Sequence, residues 1–326
     1  MKLPRRRCLQ LALAAAAAST LLSHAAPALD YPTRPVRLIV PVAAGGGADI
    51  TARLIGQWLS ERLGQQFIVE NRPGGGTNIG TEVVAHAAAD GYTLLLVNLT
   101  HAINATLYEK LNYNFARDIE PVASIIGVSN VVEVHPSVPV KTLPEFIAYA
   151  KANPGKINMG SAGNGSSSHM AGELFKMMAG VNLVHVPYRG QGPAMTDLLG
   201  GQLQVIFATT PGTTEYVRLG KLNALAVTTA QRAEALPDVP TVAEFVPGYE
   251  SSQWYGIGAP KGTPAEIVDT LNREVNAALV DPKMKMRFAD VGGTTLPGSP
   301  AGFAKLITGE IEKWGRVVKF AGIKAE

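Results

Sequence analysis

An alternation along the chain limits its possible folds more than any other feature. Short apolar runs of strand length are followed repeatedly by segments whose apolar residues recur at the helical period. Val36-Arg37-Leu38-Ile39-Val40 precedes a stretch from about Asp49 to Leu63, in which Ile50, Leu54, Ile55, Trp58, Leu59 and Leu63 fall on one face. Phe67-Ile68-Val69-Glu70 follows, then a Pro73-Gly74-Gly75-Gly76 turn, a short helix ending near Ala88, and a third apolar run from Tyr92 to Val97. Further on, Ile157 to Met159, Leu183 to Val186, Gln204 to Phe207 and Leu225 to Val227 are each separated by segments of helix length. This rhythm predicts parallel α/β units.

Helix starts are marked by chemistry. Thr142-x-x-Glu145, Thr241-x-x-Glu244 and Thr263-x-x-Glu266 have capping-box form. Pro144, Pro264 and Pro300 fall at or near a first helical turn, where a missing N–H costs little. The last helix is expected over roughly Pro300 to Phe320. Phe303, Leu306, Ile307, Ile311, Trp314 and Val318 form its apolar stripe, which suits it to closing a core.

Two segments depart from the rhythm. Ile125 to Val132 and Ser251 to Gly258 are extended, apolar and uninterrupted by turn signals. Two such crossings would divide the α/β chain into two lobes with a ligand cleft between them. Residues 29–128 plus 252–326 would form one lobe and residues 129–251 the other. Periodicity alone is equally compatible with one continuous sheet.

The N-terminus reads as a targeting segment, residues 1–28. Arg5, Arg6 and Arg7 form its basic start, Leu9 to Leu22 its apolar run, and Ala26-Pro27-Ala28 a small-x-small cleavage site near Ala28. The run is too short for a transmembrane span. Export by the twin-arginine or the ordinary secretory route fits equally. The net charge of +3 for the whole chain falls to −1 once Lys2, Arg5, Arg6 and Arg7 are removed, so the basic balance belongs to the leader and argues against a nucleic-acid partner. The single cysteine, Cys8, lies in the same segment. The mature protein therefore has no disulfide, thiolate metal site or cysteine nucleophile. It is stabilised by an ordinary core of roughly 298 residues, enough for one large domain or two modest ones.

Three loops between strand-like and helix-like runs carry the functional signal. They are Ala43-Ala44-Gly45-Gly46-Gly47-Ala48-Asp49, Asn98-Leu99-Thr100-His101-Ala102, and Gly160-Ser161-Ala162-Gly163-Asn164-Gly165-Ser166-Ser167-Ser168. A glycine- and hydroxyl-rich loop at a helix start leaves backbone N–H groups bare, an anion cradle made of partial charges. Candidate ligand-binding residues are Ala43, Ala44, Gly46 and Asp49 in the first loop and Asn98 and Thr100 in the second. Ser161, Gly163, Asn164, Ser166 and Ser167 are the candidates in the third, the strongest of the three. Asp49 suits capping better than ligand contact, because a bare carboxylate would repel an anion. His101 is expected to be packed rather than titrating. Arg72 and Arg189 are expected to brace the cleft, with Arg189 able to meet a second carboxylate. Hydrogen bonds to a charged group contribute about 1.5–3 kcal/mol each. Several of them reach the roughly 8 kcal/mol of a micromolar complex without a buried arginine.

An exported serine hydrolase is the rival reading, invited by Ser166-Ser167-Ser168-His169. Adjacent residues on a helix diverge, and the chain has no G-x-S-x-G elbow and no paired histidine motif for a metal. No catalytic residue, metal site or cofactor is expected.

Ordered motifs extend the argument. Val40-Pro41-Val42-Ala43-Ala44-Gly45-Gly46-Gly47-Ala48-Asp49, Glu70-Asn71-Arg72-Pro73-Gly74-Gly75-Gly76 and Ala89-Asp90-Gly91-Tyr92-Thr93 come first. Gly160 to His169, Val186-Pro187-Tyr188-Arg189-Gly190, Asp238 to Glu244 and Trp254-Tyr255-Gly256 follow. Together, over residues 31–326, they resemble the substrate-binding proteins of tripartite tricarboxylate transporters, the Bug or TctC family. The resemblance implies a type II periplasmic-binding-protein-like fold with two hinged α/β lobes, working as a monomer in the periplasm. It also implies a small carboxylate ligand, held by loop amides, hydroxyls and waters, and delivery to membrane permease subunits. A receptor serving a membrane sensor kinase would need the same closed surface. After Ile206-Phe207 many relatives place an aspartate or asparagine facing the cleft. Ala208-Thr209-Thr210 stands here, so Ala208 joins the candidates and ligand preference is not copied from a relative.

Overall fold

In the computed structural model of the chain, which describes residues 30–188, 190–210, 214–233 and 236–325, the alternation read from the sequence becomes strands joined by helices. The expected leader and its cleavage point near Ala28 lie outside the described residues, as does Arg189. Pro32–Glu326 form one compact unit.

The elements run β1 (Val36–Val40), α1 (Gly47–Leu63), β2 (Phe67–Asn71), α2 (Asn78–Ala85), β3 (Thr93–Asn98), α3 (Leu99–Leu107), α4 (Phe115–Asp118) and β4 (Ile119–Val134). Then come α5 (Leu143–Ala152), β5 (Asn158–Ser161), α6 (Ser167–Ala179), β6 (Val184–Pro187), α7 (Gln191–Leu199), β7 (Val205–Thr209), α8 (Thr214–Arg218) and β8 (Asn223–Val227). The chain finishes with β9 (Ser252–Pro260), α9 (Ala265–Val280), α10 (Pro282–Asp290), β10 (Gly293–Thr295) and α11 (Pro300–Ala321).

The strand order is β2-β1-β3-β9-β4-β7-β5-β6, with β8 and β10 also on β4. β2, β1 and β3 are mutually parallel, as are β7, β5 and β6. The crossing strands β9 and β4 run antiparallel to each other and to β3 and β7. The parallel rhythm therefore holds inside each half, and the departure lies in the two extended segments. They form ladders instead of bridging open space, which joins the halves along one hydrogen-bonded path.

β4 makes this possible by changing partners. Residues Ile119 to Ser129 pair with β9, and Asn130 to Val134 pair with β7 and β8. Where a ladder changes hands, backbone groups must find other partners. Polar side chains supply several. Thr228 Oγ1 accepts from the Asn130 amide at 2.9 Å, Asn130 Nδ2 donates to Phe207 O at 2.7 Å, and Thr210 Oγ1 donates to Ser129 O at 2.7 Å.

Thr142 and Thr241 form the expected capping boxes. Thr263 does not. Pro264 caps α9 without a side-chain bond, and Thr263 Oγ1 turns back to Pro260 O at 2.8 Å. α1 begins two residues earlier than the apolar period suggested, because Gly47 and Ala48 extend it without adding to the stripe. On α11 the buried face is Phe303, Ile307, Glu310, Trp314, Val317 and Val318. Leu306 and Ile311 stand at its margin. Glu310 takes an inner position because Trp314 Nε1 donates to its carboxylate at 2.6 Å and Lys313 pairs with it. Gly256 of β9 is fixed by packing. A Cβ there would meet Phe303 Cζ at 2.2 Å and Ala123 O at 2.7 Å.

Glu133 on β4 is fully buried with both carboxylate oxygens unpartnered, and burial pushes its carboxyl up to about 8. Below its ordinary value of 4.5 the folded and unfolded chains are both neutral there. As pH rises from 4.5 to about 8 the unfolded chain ionises and the folded one keeps its proton, so stability falls. At about 1.4 kcal/mol per pH unit, that loss between pH 5 and pH 8 is on the order of 3 kcal/mol. Glu133→Gln is expected to melt higher relative to the unsubstituted protein at pH 8 than at pH 5, in paired thermal melts. An equal difference at the two pH values contradicts the assignment.

Candidate functional site

Three strand-to-helix junctions converge on one cleft. They are the turns from β1 into α1, from β3 into α3 and from β5 into α6. The cleft has a volume of about 470 Å³. The first junction contributes Val42, Ala43, Ala44, Gly46, Gly47 and Ala48, the second Asn98 and Thr100, and the third Ser166 and Ser167. Thr209 at the end of β7 and Gln253 and Tyr255 of β9 complete the wall. Both halves of the sheet take part, and none of these side chains carries a charge.

The junctions differ in how their amides are used. At α3, Asn98 Oδ1 accepts from the Thr100 amide at 3.0 Å and His101 Nδ1 accepts from the Asn98 amide at 3.0 Å. The His101 ring is buried against Phe115, with centroids 5.1 Å apart. Burial pushes it down to about 4, against an opposing hydrogen bond with the Asn98 backbone, so it is neutral at pH 7. At α6, Ser166 Oγ accepts from the His169 amide at 3.3 Å and donates to Gly163 O at 2.7 Å. Ser167 beside it has a hydroxyl with no hydrogen-bond partner among the described residues.

At α1 the capping residue is Gly46, in extended conformation and with no side chain to offer. Among the described residues, the amides of Gly47 and Ala48 have no partner within the chain, and both residues face the cleft. A first turn with bare N–H groups carries the positive end of the helix dipole. Gly47 also keeps the space small, since a Cβ there would lie 3.3 Å from Tyr255 Oη. Burial pushes the Tyr255 phenol up to about 12, opposed by a hydrogen bond with Gln253, so it remains a neutral O–H.

The sequence candidates therefore divide. Ala43, Ala44, Gly46, Asn98, Thr100, Ser166 and Ser167 line the cleft. Asp49, Ser161, Gly163, Asn164 and Ala208 do not. Asp49 is the third residue of α1 rather than its cap. It reaches back to the Gly45 amide at 2.9 Å, takes a two-pronged contact from Arg53 at 3.0 Å, and accepts from Asn71 Nδ2 at 3.0 Å. Burial would raise its carboxyl, but these donors outweigh burial and hold it below the usual 3.8. Ser161 is fully buried, with Oγ 2.6 Å from His185 Nε2. This is a nucleophile–base distance, yet the hydroxyl has no exposed surface for a substrate to approach. Gly163 turns the loop, and Asn164 lines a different cavity. Ala208 is buried in β7 opposite Val131, while its neighbour Thr209 reaches the cleft. Arg72 pairs with Glu70 outside the cleft.

Sequence reasoning missed Val42, Gly47, Ala48, Thr209, Gln253 and Tyr255 as wall residues. For β9 a signal was available. Alternation along a strand sends Trp254 to one face and its two neighbours to the other. Trp254 packs edge-on against Phe303 in the core, with centroids 5.7 Å apart, and Gln253 and Tyr255 accordingly face the cleft.

Two parallel half-sheets joined by long antiparallel crossings, with helix N-termini walling the cleft between them, define a two-lobed α/β binding protein of the type II periplasmic class. Residues 51–323 match the tripartite tricarboxylate transporter family receptor. The chain is 38% identical to the BugT protein of Bordetella pertussis over 297 residues, 90% of this chain and 91% of that one. Among solved structures, R. palustris Rpa4515 with adipate superposes with a TM-score of 0.78 at 40% identity, covering 90% of this chain and 99% of that chain. MatC from Rhodopseudomonas palustris with bound malate gives 0.74 at 34% identity, covering 88% and 100%. The chain belongs to the TctC, or Bug, family of periplasmic solute-binding proteins. Among the described residues no helix is long and apolar enough to cross a membrane.

Asp49→Asn is expected to cost about 1–3 kcal/mol at pH 7, because it removes a carboxylate that four donors serve, two of them on the Arg53 guanidinium. The Asp49 contribution is present above the unfolded value of 3.8 and is lost as pH falls through the lower folded value. Urea unfolding of both proteins is therefore expected to give a gap that narrows below about pH 4 and is full at pH 7.

Proposed function

We propose that this cleft captures the carboxylate of a small organic acid, and that closure of the two lobes delivers it to a tripartite tricarboxylate-type permease. The lobes in this reading are residues 29–128 with 252–326, and residues 129–251. One observation carries the proposal. The first-turn amides of α1 at Gly47 and Ala48 are bare and face a cleft with no charged side chain. The α3 and α6 junctions add Thr100 and Ser167 hydroxyls, and Tyr255 adds a phenol. Such donors stabilise an anion through partial charge, and they do so best once closure removes water. The adipate and malate complexes of relatives support the ligand class. The reading assigns no catalytic role. Residues 1–28 act as the export leader.

Helix chemistry allows a specific test. Proline is tolerated at the first helical position and lacks the N–H. Gly47→Pro and Gly47→Ala both add a Cβ near Tyr255, but only the first deletes the amide. Calorimetric titration with adipate and malate is expected to give at least tenfold weaker binding for Gly47→Pro than for Gly47→Ala, about 1.4 kcal/mol. Equal affinities for the two variants would remove this amide from the site, and absence of binding across a carboxylate panel would remove the proposal. Lobe closure is expected to lower the radius of gyration in solution scattering at ligand saturation. An unchanged radius counts against it.

A further inference from the structure

Behind the α6 junction lies a second cavity, of about 450 Å³, bounded by His169, Glu173 and Lys176 of α6, by His185 of β6 and by the chain segment Ala321 to Lys324. Two imidazoles lie in it face to face. The His169 and His185 rings stack with centroids 3.7 Å apart and planes 8° from parallel.

Each ring holds one part of the loop that precedes α6. The Gly165 amide donates to His169 Nδ1 at 3.1 Å. That bond needs a lone pair on Nδ1, so the ring proton sits on Nε2, which faces Glu173 Oε1 at 3.7 Å. His185 Nε2 lies 2.6 Å from Ser161 Oγ, and the same oxygen accepts from the Gly163 amide at 3.2 Å. The loop from Ser161 to Gly165 is thus fastened from behind by two side chains that never enter the ligand cleft. The loop in turn presents Ser166 and Ser167 to the cleft.

We infer that His169 and His185 are positioning residues for ligand binding, holding the Ser161–Ser167 loop in its binding shape, and that the His169 fastening holds only while that imidazole is neutral. This inference rests on the reading of the α6 junction as part of the ligand site.

The charge balance around the pair supports it. A proton added to His169 goes to Nδ1 and turns that atom into a donor facing the Gly165 N–H, so the bond is lost. A proton on His185 sets a cation 3.7 Å from its neighbour's ring. The charged groups facing the pair are Glu173 and Lys176 from α6 and Lys324 from the segment after α11. Lys176 Nζ already pairs with Glu173 Oε1 at 2.8 Å. Glu173 favours a charge on His185, while the neighbouring His169 and Lys176 oppose it. His185 is pushed down to about 4, first by burial and then by His169. A folded value below the unfolded 6.5 means that its contribution to stability is full above 6.5 and is lost as pH falls from there toward 4.

The test compares three mature proteins: the unsubstituted chain, a double variant His169→Asn with His185→Gln, and a double variant His169→Ala with His185→Ala. Asparagine and glutamine keep a neutral acceptor near Nδ1 of His169 and Nε2 of His185 and cannot be protonated in this range. Adipate is titrated at pH 7.5 and pH 5.0. Protonation of adipate itself is common to all three proteins. The unsubstituted chain is expected to lose at least fivefold more affinity between the two pH values than the Asn/Gln variant does. The Ala/Ala variant is expected to bind at least fivefold more weakly than the Asn/Gln variant at pH 7.5. A pH ratio shared by the unsubstituted and Asn/Gln proteins overturns the inference.

A ligand-free measurement separates this from the function itself. The Gly163 and Gly165 amide resonances of the unsubstituted protein are expected to shift with the same midpoint as the imidazole signals. In the Asn/Gln variant those shifts are expected to be absent. Amides that stay still while the imidazoles titrate overturn the inference. Amides that follow the titration in a chain that binds no adipate support the fastening and count against the carboxylate reading.

Discussion

The partner exchange within β4 is the constraint on which the rest of the structure depends. One strand of sixteen residues spends its first part in the ladder with β9 and its last part in the ladder with β7 and β8. The two halves can then be separate parallel sheets and still share a hydrogen-bonded path. The exchange falls at Ser129 and Asn130, where polar side chains serve the backbone groups that the change of ladder leaves over. Asn130 Oδ1 and Ser251 Oγ are buried there without partners. An incompletely satisfied junction is a soft one, because rearranging it sacrifices fewer hydrogen bonds than opening a saturated ladder. The same geometry fixes the cleft. β1, β3 and β5 all end toward the gap between the halves, so the helices that follow start there.

The cleft is neutral because charges near it are paired elsewhere. Asp49 lies one turn from the bare amides of α1, yet Arg53, Asn71 and Gly45 draw its carboxylate outward. Arg72 is occupied by Glu70, and Glu173 behind α6 is occupied by Lys176. What faces the gap is a set of dipoles: bare amides at α1 and hydroxyls at Thr100, Ser167, Thr209 and Tyr255. An uncharged wall has a physical consequence for any anion bound against it. Partial charges act more weakly in hydrated surroundings and more strongly in dry ones.

Much of this was legible in the residues. Apolar periodicity located most strands and helices to within a few residues. Both long extended segments lie in the antiparallel strands β4 and β9, and the glycine- and hydroxyl-rich loops did fall at strand-to-helix junctions. Side-chain direction inside the loops was not legible. Nothing in Ser161-Ala162-Gly163 indicates that the serine turns inward to His185, because that contact joins residues 24 apart in sequence. Asp49 looked like a cap because the helix was expected to start there. Two small residues, Gly47 and Ala48, lengthen α1 invisibly, since neither adds to an apolar stripe. Ala208 and Thr209 show the limit at single-residue resolution: alternation on β7 buries one and exposes the other, and the strand's final residue decides which.

β9 shows how core and site are built from the same residues. Trp254 is buried between Phe303 and the Glu310 carboxylate of α11, while Gln253 and Tyr255 stand on the opposite face as part of the cleft wall. Gly256 lets Phe303 approach the strand closely enough to lock it. α11 also packs against α3 and α6, helices whose N-termini border the cleft from the two halves. The C-terminal helix therefore ties both halves together away from the cleft, and it fixes the strand that carries two of the wall side chains. Partial charges on the junctions of both halves face the same cleft.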